Sequence, residues 1–295
     1  MSEINEVKSE SAQSLSGLPS KLSSIQDTLK RLPNEPGKVF LIGAGPGDPE
    51  LMTLKASKCL QGSDVIVYDK LVSQAIIDAL PSGKQLIYVG KAKGLHSATQ
   101  SEINQLLLRH ALAGKTVSRL KGGDSFVFGR GGEEMLELHQ ANIRVEVVPG
   151  ITAASGCTSY AGIPLTHRGL SQGCSFITAH AEKSLEINWQ ALAALNQTLV
   201  FYMGLSKLEL ISQQLMTAGM SGSTPVAIIE KGCTDQQRVI SGQLHNIHSR
   251  VATQSVQSPA LIVVGQVVSL REQLDWFTPQ SQQLPETSLL QQLSA

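Results

Sequence analysis

From Lys38 onward two kinds of apolar pattern alternate along the chain. Short unbroken runs of Val, Ile, Leu and Phe end in Gly or Asp, and between them lie longer stretches whose apolar residues recur every three to four positions. The first kind reads as strand buried on both faces, the second as amphipathic helix. On this basis strands are expected at 39–42, 64–68, 85–89, 116–120 and 145–148. Helices are expected at 53–60, 73–80, from 99 to about 110, at 133–141 and at 152–161. Thr99 followed by Glu102 is a capping box, which places one helix start closely. Strands alternating with helices imply a mostly parallel sheet. A connector at 163–169 leads into a second α/β unit. Its strands are expected at 175–178, 198–202, 226–229, 237–240 and 260–264, and its helices near 206–217 and 243–252.

The fold class is therefore α/β, in two α/β domains. Residues 1–37 are Ser-rich and without aromatics and read as a disordered extension, with a short helix at 25–32. An N-terminal domain spans 38–163, a linker 164–172, a C-terminal domain 173–278 and a flexible tail 279–295. A length of 295 residues suits two domains. The formal net charge is zero, so no overall field draws the chain to nucleic acid or membrane. Cys59, Cys157, Cys174 and Cys233 show no spacing for zinc or a disulfide framework. No apolar run approaches the ~20 residues of a membrane span, and no secretory signal opens the chain. A cytoplasmic protein is expected, with no metal.

The candidate chemistry gathers in turns after the strands. The densest is RLKGGDSFVFGRGGEE at 119–134, a glycine-rich turn between a strand and a helix. Open α/β sheets bind ligands there, because glycine lets backbone come close to a bound molecule. A flexible surface loop is the plainer alternative. The turn after the first strand, Gly43-x-Gly45-x-Gly47-Asp48-Pro49, departs from the dinucleotide fingerprint: its third glycine comes one position early and Asp-Pro follows. There is no GxxxxGK[ST], so phosphate-loop chemistry has no support.

Taken together, VFLIGAGPGDPELMTL at 39–54, the 119–134 loop, VPGITAA at 148–154 and YAGIPLTHR at 160–168 resemble the tetrapyrrole methylases. With DVIVYDKLV at 64–72 they look like the family's uroporphyrinogen-III C-methyltransferase branch. The resemblance covers about 38–270. It implies two α/β domains with an active-site trough between them. It also implies S-adenosyl-L-methionine as methyl donor, S-adenosyl-L-homocysteine as its product, and a homodimer. The implied reaction is C-methylation of uroporphyrinogen III at C2 and C7, giving precorrin-2 via precorrin-1. Pro46, Gly122, Gly123, Asp124, Val127, Thr152, Ala153, Met203 and Gly232 match the donor-binding positions. Asp69 and Lys91 match the proton acceptor and donor, and Arg119 is a further catalytic candidate.

Uroporphyrinogen carries eight carboxylates, and a chain of zero net charge must gather cations locally to meet them. Arg119, Lys121, Arg130, His167 and Arg168 are the candidate carboxylate contacts, arginine binding a carboxylate in bidentate fashion. From the residues alone plainer roles stand beside these. Asp69 reads equally as an Asx-turn residue, Asp124 as a loop cap, Lys91 as a surface amine, Arg119 as a buried structural cation and Arg168 as a surface charge. Rival functions are a later methylase of the cobalamin route, the rRNA or diphthamide branch of the fold, and a non-catalytic sensing module. Departures from the usual pattern are Ser125 where Pro is usual, Ala179 for Gly and Cys233 for Thr or Ser.

Overall fold

The computed structural model describes residues 35–90, 98–180 and 186–278. The first half is a five-stranded parallel sheet in the order β3-β2-β4-β1-β5. Its strands are β1 (Lys38–Gly43), β2 (Val65–Tyr68), β3 (Gln85–Tyr88), β4 (Val117–Lys121) and β5 (Arg144–Val148). Because side chains alternate across a strand, each strand feeds two cores. Val39, Leu41, Val65, Val67 and Val117 pack against α3 (Gln100–Leu112) and α4 (Gly131–Gln140). Phe40, Ile42, Ile66 and Leu120 pack against α1 (Leu54–Gln61) and α2 (Gln74–Asp78) on the other face. All five residues of β4 are buried, which matters below for its two cations.

The helix starts follow capping chemistry. The Thr53 and Ser73 side chains accept from Ala56 and Ile76 N–H, and Thr99 with Glu102 forms the expected box. The helix expected at 133–141 starts two residues earlier, on Gly131 and Gly132. Its cap, Arg130, has φ 58°, a left-handed conformation that brings the chain out of the loop sharply.

α5 (Ala153–Tyr160) follows β5 and joins the two halves. Its Ala154 and Cys157 share a core with Val200, Ala227, Ile229, Leu261 and Val263 of the second sheet. That sheet has the order β6-β7-β10-β8-β9. Its strands are β6 (Cys174–Thr178), β7 (Thr198–Tyr202), β8 (Pro225–Glu230), β9 (Arg238–Gln243) and β10 (Ala260–Val264). Only β6 and β7 pair in parallel; the other pairs are antiparallel, because β8 and β9 form a hairpin and β10 returns between β7 and β8. Its outer face is covered by α6 (Trp189–Ala194), α7 (Leu208–Thr217) and α8 (Ile247–Thr253). A short α9 (Arg271–Leu274) is the last helix among the described residues. The helix expected at 243–252 is shorter, since residues 243–246 form a turn held by Gln243 N–H donating to Asn246 Oδ1 (2.9 Å). His245 therefore precedes the helix that carries His248. Among the described residues no helix is long and apolar enough to cross a membrane. The helix expected at 25–32 lies outside the described residues.

Candidate active site

β2, β4, β1 and β5 lie side by side and parallel, so their carboxyl ends form one rim. A ligand site is expected there in an open α/β sheet. The loops that leave the rim are tied to one another by backbone. Ala44 N–H donates to Lys121 O at 2.7 Å. Gly45 and Gly123 exchange bonds of 3.1 and 2.7 Å. Gly123 has φ 69°, a conformation glycine adopts without cost. Asp124 Oδ1 accepts from Phe126 N–H (2.8 Å) and its Oδ2 from Gly150 N–H (3.0 Å). The plainer role considered for Asp124 is thus realised: it caps its own loop and binds it to the loop after β5. Lone pairs remain on both oxygens for a ligand.

These loops open into a cavity of about 1810 Å³. Pro46, Gly122, Gly123, Asp124, Val127, Thr152 and Ala153 line it from the first half, and Met203 and Gly232 from the second. All nine donor-site candidates therefore come together on one surface. Asp69, the first residue after β2, lines the same cavity. Four non-glycine residues of the wall have left-handed backbone: Phe128 (φ 54°), Met203 (55°), Lys231 (46°) and Cys233 (58°). Such conformations cost of order 1–3 kcal/mol each and gather at functional sites.

Two tyrosines that sequence reasoning left out hold the walls together. The Tyr202 hydroxyl accepts from Ala154 N–H (2.8 Å) and bonds Thr152 Oγ1 (2.6 Å), joining the second sheet to the start of α5. Its ring lies 4.9 Å from that of Phe128. Burial pushes its phenol above the usual tyrosine range. Tyr160 donates to Asp48 Oδ2 (2.7 Å), while Asp48 Oδ1 accepts from Glu50 N–H. Burial and that carboxylate raise the Tyr160 phenol as well. Sequence held one signal for each: Tyr202 immediately precedes Met203, and Tyr160 stands in the YAGIPLTHR motif.

The charged candidates divide. The Arg119 side chain is 3 % exposed and bridges two carboxylates, with Nη2 2.8 Å from Asp69 Oδ2 and Nε 3.2 Å from Glu134 Oε1. Lys121 is buried beside it, 3.0 Å from the same Glu134 oxygen. Burial and the neighbouring Arg119 lower its pKa, against the pull of Glu134. Asp69 Oδ1 also accepts from Leu71 N–H (3.0 Å), so the Asx-turn role is present too. Arg130 is exposed and forms a bidentate pair with Glu133, at 2.9 and 2.7 Å. His167 and Arg168 are exposed in a tight turn closed by two bonds of 2.9 Å between His167 and Ser171. Arg119, Lys121, Arg130, His167 and Arg168 do not line the cavity. Its described wall holds Lys70 and Lys231 against Asp48, Glu50, Asp69, Asp124 and Asp235. The expected concentration of cations is therefore not formed by the cavity's described lining. Lys91 lies outside the described residues.

The sequence of residues 38–248 matches the family model "Tetrapyrrole (Corrin/Porphyrin) Methylases". The chain belongs to the tetrapyrrole methylase family. Among solved members, it is 39% identical to a uroporphyrin-III C-methyltransferase from Thermus thermophilus complexed with S-adenosyl homocysteine. The TM-score is 0.68, over 79% of this chain and 93% of that one. A cobalt precorrin-4 methyltransferase of cobalamin biosynthesis aligns with a TM-score of 0.70 at 27% identity, over 78% of this chain and 95% of the other. Among curated relatives, the siroheme synthase of Acinetobacter baylyi is 54% identical over 242 residues, 82% of this chain and 53% of the relative. The chain thus spans about half the length of the curated relatives it matches.

Proposed function

We propose that this chain is an S-adenosyl-L-methionine-dependent C-methyltransferase of uroporphyrinogen III. It methylates C2 and then C7, giving precorrin-2 via precorrin-1. One observation carries the reading: nine donor-site candidates and Asp69 line a single cavity of about 1810 Å³ at the carboxyl rim of a parallel sheet. That exceeds the ~300–1,000 Å³ of an ordinary single-ligand pocket and leaves room for donor and acceptor together. The Thermus thermophilus enzyme, similar over nearly its whole length, supports the choice of both ligands.

The wall suits the donor. Behind Gly122 an added Cβ would lie 2.7 Å from Leu71, so bare backbone faces the cavity. Bare backbone and the small side chains of Thr152 and Ala153 let a folded zwitterionic nucleoside come within hydrogen-bond range. When bound, S-adenosyl-L-methionine supplies an electrophilic sulfonium methyl. The residues of the chain align the acceptor carbon with it, exclude water and hold a proton acceptor. Alignment of this kind lowers a barrier by ~7–11 kcal/mol at best. On the wall Asp69 is held by the buried Arg119, and we assign it the proton released from the methylated ring. Arg130 and Arg168, exposed cations, and the exposed His167 are assigned to the acceptor's carboxylates. We further assign the active form as a homodimer; β3 at the edge of the described sheet, with Leu86 43% exposed among the described residues, supports a face for a second copy.

The test is incubation with uroporphyrinogen III and methyl-labelled S-adenosyl-L-methionine, following label and the spectrum of the oxidised product. Two labels per macrocycle are expected. No transfer to the macrocycle overturns the reading, and transfer only to an already methylated corrinoid moves the enzyme to a later step.

A further inference from the structure

Glu134 belongs to no part of the site assigned so far, yet it is the most thoroughly buried charge beside it, with side-chain exposure of 0%. Three donors converge on one of its oxygens: Arg119 Nε at 3.2 Å, Lys121 Nζ at 3.0 Å and Gln100 Nε2 at 3.1 Å. The other oxygen has no hydrogen-bond partner among the described residues. From Glu134 the charges alternate outward. Lys121 and Arg119 flank it, and Arg119 turns its far edge to Asp69 at 2.8 Å. Asp69 alone of the four reaches the cavity. The guanidinium is fully divided, with Nε to Glu134, Nη1 to Leu120 O (3.1 Å) and Nη2 to Asp69. Asp69 therefore receives a single N–H from it.

We propose that Glu134 is a positioning residue for the methyl transfer: by taking one edge of the Arg119 guanidinium, it keeps Arg119 from closing on Asp69 as a two-pronged fork. An arginine with one carboxylate in reach takes it in bidentate fashion, using both oxygens. Asp69 Oδ1 already accepts from Leu71 N–H, so such a fork would occupy three of the roughly four lone-pair sites of the carboxylate and leave about one to take a proton. Glu134 reaches the donor-binding loop through its ion pair with Lys121 and through the helix that follows the loop, and Glu134→Gln keeps an acceptor oxygen for Lys121, so removing the charge acts on Arg119 and the chemistry before it acts on donor affinity. This inference rests on the reading of Asp69 as the proton acceptor.

The decisive variant is Glu134→Gln, which keeps shape and one acceptor oxygen but removes the charge that competes for Arg119. S-adenosyl-L-homocysteine affinity should stay within about threefold while kcat for uroporphyrinogen III falls about a hundredfold with little change in KM, as expected when reacting groups are misplaced rather than substrate lost. Glu134→Asp keeps the charge and should recover at least about a tenth of the wild-type kcat. Unchanged kcat in Glu134→Gln overturns the proposal, as does equal loss of kcat and homocysteine-product affinity, which marks a merely structural residue. Should Glu134→Gln not fold, Gln100→Leu decides: it loosens the carboxylate from a half-buried helix start, and kcat unaltered there overturns the proposal. Full turnover in Asp69→Asn would overturn the Asp69 reading and this inference with it. Turnover lost in Asp69→Asn but kept in Glu134→Gln overturns this inference alone.

Discussion

Gly150→Ala is the sharpest test of how the rim is built. A Cβ at position 150 would lie 2.5 Å from Gly123 O and 2.6 Å from Gly43 C and O. Its mirror, a Cβ on Gly43, would meet Gly123 O and Gly150 N at 2.6 Å. All the obstructing atoms are backbone, with the buried β4 and nearly all of β1 behind them, so no side chain can swing aside. Reaching the ~3.3 Å at which carbon meets a carbonyl oxygen needs the crossing to open by about 0.8 Å. Overpacking typically costs ~1–3 kcal/mol, and a rigid site of this kind belongs at the top of that range. The opening also strains the Gly150–Asp124 bond of 3.0 Å and the paired Gly45–Gly123 bonds, which shape the donor loop. We expect urea unfolding to show a loss of about 3 kcal/mol. Calorimetric titration should show S-adenosyl-L-homocysteine binding at least about tenfold weaker, a loss of ~1.4 kcal/mol. Gly132→Ala is the control: an added Cβ meets nothing within 4 Å, and the residue lies in a helix. It should stabilise by up to ~1 kcal/mol. If Gly150→Ala unfolds within about 0.5 kcal/mol of wild type and binds the product normally, the three loops do not cross as described.

Asp124→Ala removes two charge-assisted bonds to backbone, each worth ~1.5–3 kcal/mol, and should lower both stability and product affinity in the assays above. Arg119→Met leaves Glu134 and Asp69 without their shared cation and should destabilise by ~3–5 kcal/mol in urea unfolding. Tyr202 has a phenol raised by burial. Its contribution is fully present below the unfolded tyrosine pKa of ~10 and is lost as pH climbs through the higher folded value. Between pH 8 and pH 11 the urea midpoint of the wild type should therefore fall further than that of Tyr202→Phe, and equal falls would refute the buried phenol.

The first sheet was legible because parallel strands covered on both faces carry little polar alternation, and 39–42 and 65–67 read as continuous apolar runs for that reason. The antiparallel pairings of the second sheet were not legible. Strand direction depends on what joins the strands, and 231–237 is neither a tight hairpin turn nor a helix. α6 was missed because six residues are too few to show a helical period. Within the site, the nine donor-site candidates came from the family resemblance, and the fold brings all nine to the wall of one cavity. Tyr160 and Tyr202 escaped notice because their partners, Asp48 and Ala154, lie 112 and 48 residues away.

The cations show why charge is harder to place than glycine. Arg119 and Lys121 were read as arms reaching for an acidic acceptor. They stand on β4, however, between β2 and β1, with helices on both faces, where no side chain has solvent to reach into. A charge on such a strand needs a counter-charge supplied by the fold, since an unpaired buried ion costs several kcal/mol. Glu134 supplies it from the first turn of α4, whose positive end also favours a carboxylate. The two cations at the end of β4 and the acid at the start of α4 thereby clamp both ends of the segment 122–130. The glycines between them do not make a loose loop. Its ends are fixed by ion pairs below, its middle by Asp124 and Gly123 to neighbouring loops, and only its inner surface is left to meet a ligand.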